Sequence, residues 1–284
     1  MAAAAALAVI AFLLRTAQLA AAFDEAGKAT GKGIWFFSVV TVLAVAVFAL
    51  YSRSLKGRKK YPAIAGQGLT ELLLGAAAAL VMIVAGIVLL LHPAMQGDQL
   101  VAAGSILTGV CWGLTAVGRY MGKKVHVLLF MVPAAFYVVE LVCRFRFWTR
   151  DPIIIDYCYD LFALISIMCA TFHLGGFCLE TGARRLTVFF SLCGVFFSAA
   201  AMVKTTAANA LGYGAAILWL LANLWLLLRT SRKREEEPAE ETEEVEAPAE
   251  SEEETEEPAE ESEEAEEEPA DFEEEKTEKA GDIL

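Results

Sequence analysis

The amino-acid sequence predicts an all-α, polytopic integral membrane protein: a bundle of about eight transmembrane helices with a disordered acidic C-terminal tail. Hydrophobic residues make up 57% of the 284 residues. They gather in runs that approach the roughly 20 residues a helix needs to cross a bilayer. Most of the acidic residues, in contrast, follow the last of these runs. Together these observations exclude an ordinary soluble domain.

Eight apolar segments account for the predicted helices. They cover residues 2–22, 34–51, 67–91, 100–118, 125–145, 153–176, 186–204 and 208–228. Pro62, Pro93 and Pro152 lie at segment edges, where a missing backbone N–H does least harm, whereas Pro133 lies inside the fifth segment and predicts a kink. The first segment resembles a secretory signal, but it lacks a basic region before it and Arg15 interrupts it, so we expect a retained helix.

The distribution of Lys and Arg between the loops predicts the orientation. If the eight segments alternate across the membrane, 14 of these basic residues fall on one side and 6 on the other. Because cytoplasmic loops carry the excess of Lys and Arg, the first side is assigned to the cytoplasm, and both termini lie there. The basic cluster at 144–150 is the exception. We expect an ordinary plasma or inner membrane of the cell.

The chain divides into a transmembrane domain, residues 1–229, and a Glu/Pro/Ala-rich tail, residues 230–284. From Glu235 onward there are 27 Asp and Glu against two Lys. Repulsion between carboxylates and the scarcity of apolar residues leave nothing to offset the chain entropy, so the tail is predicted to be disordered and cytoplasmic. Such a tail suits a basic cytoplasmic partner. It does not suit nucleic acid, because the tail would repel phosphate.

Glycines at close spacing mark the fourth segment. Gly109 and Gly113 are four residues apart, as are Gly118 and Gly122. Small residues at this spacing let helix backbones approach closely. We expect this surface to pack inside the bundle.

Charged residues inside the apolar segments indicate a polar pocket. Such residues cost a few kcal/mol each, so they usually face the bundle interior and find partners. At about 1.5 Å per helical residue, their depths all fall in the outer half of the membrane. Several are three or four residues apart and therefore share a helix face. The candidate ligand-binding residues are Arg15, Gln18, Glu140, Arg144, Asp156 and Asp160.

Asp156 and Asp160 are the most unusual of these residues, because two carboxylates are predicted to share one helix face. Two such carboxylates repel unless a cation lies between them or one keeps its proton. Two interpretations stay open: arginines bridge these acids for purely structural reasons, or the pocket takes a cation, a proton or a small polar solute. Tyr137, Tyr157 and Tyr159 are able to supply hydroxyls, although aromatic residues at this depth are typical of an interface belt.

The remaining reactive residues give no catalytic or metal-binding pattern. The chain has no H-E-x-x-H, G-x-S-x-G, P-loop or Rossmann glycine pattern, so no catalytic residue, cofactor or metal site is predicted. Its six cysteines read as small buried hydrophobes, with a Cys143–Cys158 disulfide as the alternative. Cys169 and His173 share a helix face but lack further ligands nearby in sequence. Glu71 is expected to snorkel toward water or to pair with a loop lysine.

Two functional hypotheses follow. In the first, the protein binds or transports a cation, a proton or a small polar solute through an outward-facing polar pocket. In the second, it is a non-transporting membrane scaffold or sensor whose acidic tail engages a cytoplasmic partner. The lipid bilayer is the surrounding partner in both.

Overall fold

Helices account for nearly all of the described chain. The computed structural model describes residues 2–22, 32–55, 68–93, 97–148 and 157–236, and this part contains no strand. The helices are α1 (Ala2–Ala22), α2 (Lys32–Ser54), α3 (Leu69–Leu91), α4 (Asp98–Tyr120), α5 (Leu128–Trp148), α6 (Cys158–Gly176), α7 (Arg184–Ala201) and α8 (Ala207–Glu236). Short 3-10 helices continue α6 and α7. The predicted all-helical class is confirmed.

Six of these helices, α3 to α8, are long and apolar enough to cross a membrane. Their apolar residues run around the whole helix surface, as expected where one side packs on neighbours and the other faces hydrocarbon. The described apolar parts of α1 and α2 are shorter, at Ala4–Leu19 and Ser38–Ser54. Six candidate spans therefore stand confirmed by length and composition, whereas a total of eight stays a prediction.

Helix α8 is longer than the predicted eighth segment. Helix α8 continues through Glu236, past the point at residue 230 where the tail was predicted to begin. The residues that extend it include Arg, Lys and Glu, which are strong helix formers and let a helix run on beyond its apolar part. Residues 237–284, the rest of the predicted tail, lie outside the described residues. Helix α6 begins at Cys158, and residues 149–156 also lie outside.

Helices α3 to α8 close a ring. Each packs against the next along the chain, and α8 returns to pack against α3. Helices α1 and α2 pack against each other and against α7. The ring gives the molecule an interior toward which side chains from several helices can converge.

The α3–α4 contact is the most extensive in this ring, and glycines bring the two backbones together. A Cβ built on Gly109 would lie 2.8 Å from the carbonyl oxygen of Ala79 on α3. In the reverse direction, a Cβ built on Gly86 would lie 2.8 Å from the carbonyl oxygen of Ala102 on α4. Each helix thus offers a glycine to the other's backbone, the arrangement that small residues permit between membrane helices.

Candidate functional site

An ion pair on α5 forms the first part of the site. The guanidinium of Arg144 donates a hydrogen bond from Nη2 to Oε1 of Glu140, one helical turn away. This is the shared face that their spacing predicts. Glu140 is only 5% exposed, so the pair is withdrawn from the surface of the bundle. A carboxylate buried to this degree needs a charged or hydrogen-bonding partner, and Arg144 supplies it.

Arg144 also links α5 to α8. Its Nη2 donates to Oδ1 of Asn209 at 3.0 Å, and its Nη1 donates to the hydroxyl of Tyr213 at 3.3 Å. The guanidinium carbon lies 5.5 Å from the centroid of the Tyr213 ring. Arg144 therefore uses its fork of donors to hold one carboxylate on its own helix and two oxygen acceptors on another.

Asp160 joins the same network from α6. The Tyr213 hydroxyl donates to Oδ1 of Asp160 at 2.8 Å. Asp160 lies in the first turn of α6, where the partial positive charge of the helix N-terminus favours a carboxylate. It also interacts electrostatically with Arg144 and Arg15. Contacts from Glu140 through Arg144 and Tyr213 to Asp160 thus connect three helices.

Arg15 and Gln18 lie at this end of the bundle on α1. Both side chains are buried, and Arg15 donates a hydrogen bond to Oε1 of Gln18. The Arg15 guanidinium also lies over the ring of Tyr159, 4.6 Å from its centroid. Arg15 is thereby brought beside the helix that carries Asp160. Asp156, the sixth candidate, lies outside the described residues, so its shared face with Asp160 stays a prediction.

A cavity of about 20 Å³ opens inside the ring beside this network. On this scale a single water molecule needs roughly 10–15 Å³, so the cavity holds one water-sized guest. Apolar side chains from α3 and α6 form part of its wall. The polar part of the wall comes from Ser105, Tyr137, Glu140, Arg144, Asn209 and Tyr213.

Tyr137 is the unexplained member of the cavity wall. Its side chain is 3% exposed, and its hydroxyl makes no hydrogen bond with any other residue in the described ranges. A buried hydroxyl without a partner costs about 1–3 kcal/mol. The interface-belt interpretation is therefore wrong for Tyr137, because the residue faces the interior. A polar guest in the cavity would give this hydroxyl its partner.

The sequence interpretation missed the contribution of α8. Asn209 and Tyr213 are four residues apart in an otherwise apolar segment, so they share a helix face. That spacing was the available signal. It did not reveal which helices this face would meet, because the long-range pairs depend on how each helix is rotated in the bundle.

A second polar cluster lies at the opposite end of the ring. Glu71 on α3 is fully buried and accepts hydrogen bonds from Arg229 and Thr70, each at 2.9 Å. At the same end of the ring, Arg119 on α4 donates a hydrogen bond to Oδ1 of Asn223 on α8 at 2.7 Å. Pairing of Glu71 with a loop lysine or snorkelling toward water is therefore wrong: its partner is a helical arginine. We call this the Glu71 end, and the end with Glu140 and Asp160 the Asp160 end.

The cysteines and histidines add no further centre among the described residues. All six cysteines are free thiols, so the alternative Cys143–Cys158 disulfide is absent from the structure. No group of three or more His, Cys, Asp and Glu in the described ranges is placed to hold a metal ion. His173 instead stacks on the ring of Phe190 at 5.7 Å between centroids.

No family model, curated protein or solved structure matches the chain. Function is therefore inferred from the residues of the two clusters and of the cavity between the helices.

Proposed function

We propose that this chain is a multi-pass membrane protein that binds and transports a proton or a small cation at the cavity beside Glu140. Its eight helices cross the plasma or inner membrane with both termini in the cytoplasm. The Asp160 end then faces outward, and the Glu71 end faces the cytoplasm. The excess of Lys and Arg in the loops at the Glu71 end supports this orientation.

The observation that carries this proposal is the Tyr137 hydroxyl, which is buried, unpartnered within the described residues and part of the cavity wall. Glu140, in the same wall, accepts its ion-pair hydrogen bond at Oε1. A guest in the cavity thus meets the Glu140 carboxylate, its partner Arg144 and a hydroxyl together. Carboxylate and hydroxyl oxygens are hard donors, which suit a proton or a cation that prefers oxygen ligands.

The size of the cavity limits which species can bind in it. At about 20 Å³ it accepts a water-sized species and excludes a solute of several heavy atoms in this conformation. A small polar solute is therefore disfavoured relative to the two simpler candidates. Glu140 and Asp160 are the groups able to take a proton, and Arg144 and Arg15 balance their charge.

Structural bridging accounts for only part of this arrangement. The Glu140–Arg144 pair and the Tyr213–Asp160 hydrogen bond are the contacts that bridging requires. It gives no reason for a cavity beside them or for a buried hydroxyl that meets no partner among the described residues. Ligand binding explains both features.

Flux through reconstituted protein tests the proposal. The full chain is placed in liposomes with an entrapped pH-sensitive dye, and flux is driven by a membrane potential in sodium, potassium, lithium or choline salts. Glu140→Gln keeps the shape of the side chain but removes its charge and its proton-binding oxygen. We expect flux to fall about tenfold or more, a barrier change of about 1.4 kcal/mol for each factor of ten.

Glu180→Gln is the matched control, since it makes the same chemical change at an exposed turn residue and should leave flux unchanged. Asp160→Asn provides a second test, and each variant must elute as a folded, monodisperse protein. Unchanged proton and cation flux in both Glu140→Gln and Asp160→Asn would falsify the proposal.

A further inference from the structure

A row of buried polar and aromatic side chains on α4 continues from the cavity toward the Glu71 end. Their spacing of three or four residues places them on one face of the helix. The first of them, Ser105, belongs to the cavity wall, and the last donates a hydrogen bond to Asn223 on α8. The row consists of Ser105, Thr108, Trp112, Thr115 and Arg119, all buried.

Helix α8 carries a facing row. It begins at the cavity with Asn209 and Tyr213, continues with Trp219 and reaches Asn223 near the Glu71 end. Arg229, which binds Glu71, follows on the same helix. We call the two rows together the α4–α8 seam. It runs inside the ring from the cavity to the second polar cluster.

Two stacked indole rings interrupt the seam near its middle. The centroids of Trp112 and Trp219 are 5.0 Å apart, and their planes differ by 8°. Trp219 lies about 18 Å from the start of the span Ala207–Arg229, close to the middle of a hydrocarbon core of roughly 30 Å. Both rings are fully or almost fully buried. The pair therefore lies in the interior at about the middle of the candidate spans.

Three hydrogen-bonding groups around this stack have no partner among the described residues. They are the indole N–H groups of Trp112 and Trp219 and the hydroxyl of Thr108, one turn along α4. A buried indole N–H normally finds an acceptor, so two together are unusual. Water entering the seam would supply those acceptors. It would thereby remove the free-energy cost of leaving these buried groups without hydrogen bonds. Indole faces also attract cations.

We propose that the α4–α8 seam is the route by which the transported species crosses the protein, and that the Trp112–Trp219 stack is its barrier. This inference rests on the proposed function and adds the path and the gate to it. The cavity at the Asp160 end loads the species. Separation of the indoles then admits water to the seam, and the species leaves past the hydrogen-bonded pairs at the Glu71 end.

Truncation of one indole tests the barrier. Trp219→Ala is reconstituted at full length, and proton leak under a membrane potential is measured with the entrapped dye. We expect leak to rise about tenfold or more over wild type, again about 1.4 kcal/mol of barrier per factor of ten. Trp219→Phe retains a ring and should stay near the wild-type value. Trp225→Ala is the matched control, because Trp225 is on the same helix but is 37% exposed on its outer face.

Thiol labelling gives a second readout that does not need a large truncation. Thr108→Cys keeps a small side chain in the seam, and Leu107→Cys places the same group on the adjacent residue, which is 52% exposed on the outside of the bundle. A water-soluble thiol reagent should modify Thr108→Cys in liposomes, above the background of the parent protein. Leu107→Cys, surrounded by lipid, should react no more than that background.

These outcomes distinguish failure of the proposed route from failure of the proposed binding site. If Trp219→Ala folds without added leak, or if Trp225→Ala leaks equally, the barrier assignment is overturned while the effect of Glu140→Gln on flux still supports the cavity. Failure of the reagent to modify a folded Thr108→Cys protein also overturns the route. If Trp219→Ala leaks but Glu140→Gln and Asp160→Asn both leave flux intact, the seam stands and the cavity assignment fails.

Discussion

At the scale of single residues, the hydroxyls of Tyr137 and Tyr213 differ in the hydrogen bonds they make. The Tyr213 hydroxyl receives a hydrogen bond from Arg144 and donates one to Asp160, so it is embedded in the network. The Tyr137 hydroxyl lies in the same cavity wall but bonds to no other described residue. Two buried tyrosines therefore differ: the Tyr213 hydroxyl links helices, whereas the Tyr137 hydroxyl is the group to which we propose a ligand binds.

Removal of each hydroxyl should reveal this difference. In Tyr137→Phe, an unsatisfied group is deleted, so we expect the free energy of unfolding to stay within about 1 kcal/mol of wild type or to rise, while cation-dependent stabilisation is lost. In Tyr213→Phe, two hydrogen bonds are lost and Asp160 loses its donor, so stability should fall by about 1–3 kcal/mol. Thermal unfolding with and without added cations measures both. Equal destabilisation by the two substitutions would contradict the assigned roles.

At the scale of helices, the contact between α3 and α4 depends on where glycine is placed, which spacing alone does not decide. Gly109 and Gly113 belong to the same four-residue repeat. A Cβ on Gly109 would meet the backbone of Ala79, whereas a Cβ on Gly113 would lie at an ordinary 3.6 Å from the Ala79 Cβ. Of these two glycines, Gly109 and not Gly113 therefore limits how closely α4 approaches α3.

Alanine substitutions should separate the two positions. Gly109→Ala forces the backbones apart, and we expect a loss of about 1–3 kcal/mol in stability, the usual cost of overpacking. Gly113→Ala adds a methyl group in ordinary contact and restores helix propensity, so it should be neutral or slightly stabilising. Thermal melts of the two purified variants in the same detergent measure the contrast. A Gly113→Ala protein as unstable as Gly109→Ala would show that helix spacing is not what glycine provides here.

At the scale of the whole molecule, the ring of helices and the acidic tail are predicted to be independent. A disordered tail buries no apolar surface, so its removal takes nothing from the free energy of folding. We expect a chain that ends after Glu236 to melt at the same temperature as the full chain and to keep its ion flux. The scaffold hypothesis instead requires the tail, since its deletion would abolish capture of a basic, lysine-rich peptide and the associated activity. A melting temperature several degrees lower after truncation would show that the tail contributes to the fold.

Hydropathy was enough to predict the helices, and local spacing was enough to predict the Glu140–Arg144 pair, because both depend on residues close together in the chain. Depth counting also grouped Arg15 with the acids at one end. The pairing of Asp160 with Tyr213 could not be predicted from the sequence. Membrane helices are apolar on nearly every side, so their pattern does not reveal which face meets a neighbour. A polar pocket near these charges was predicted, but for the same reason its size and the residues that line it were not.

The partners of Glu71 and Asp160 have a consequence for how the protein is made. Both carboxylates accept a hydrogen bond from α8, the last of the described helices in chain order: Glu71 from Arg229 and Asp160 from Tyr213. In the proposed membrane topology, α3 and α6 are therefore expected to enter the membrane during synthesis before these donors exist, when an acidic group in hydrocarbon is most costly. Insertion of α8 is thus expected to complete the pairing of both carboxylates, and a chain interrupted before α8 is predicted to leave Glu71 and Asp160 without these two donors.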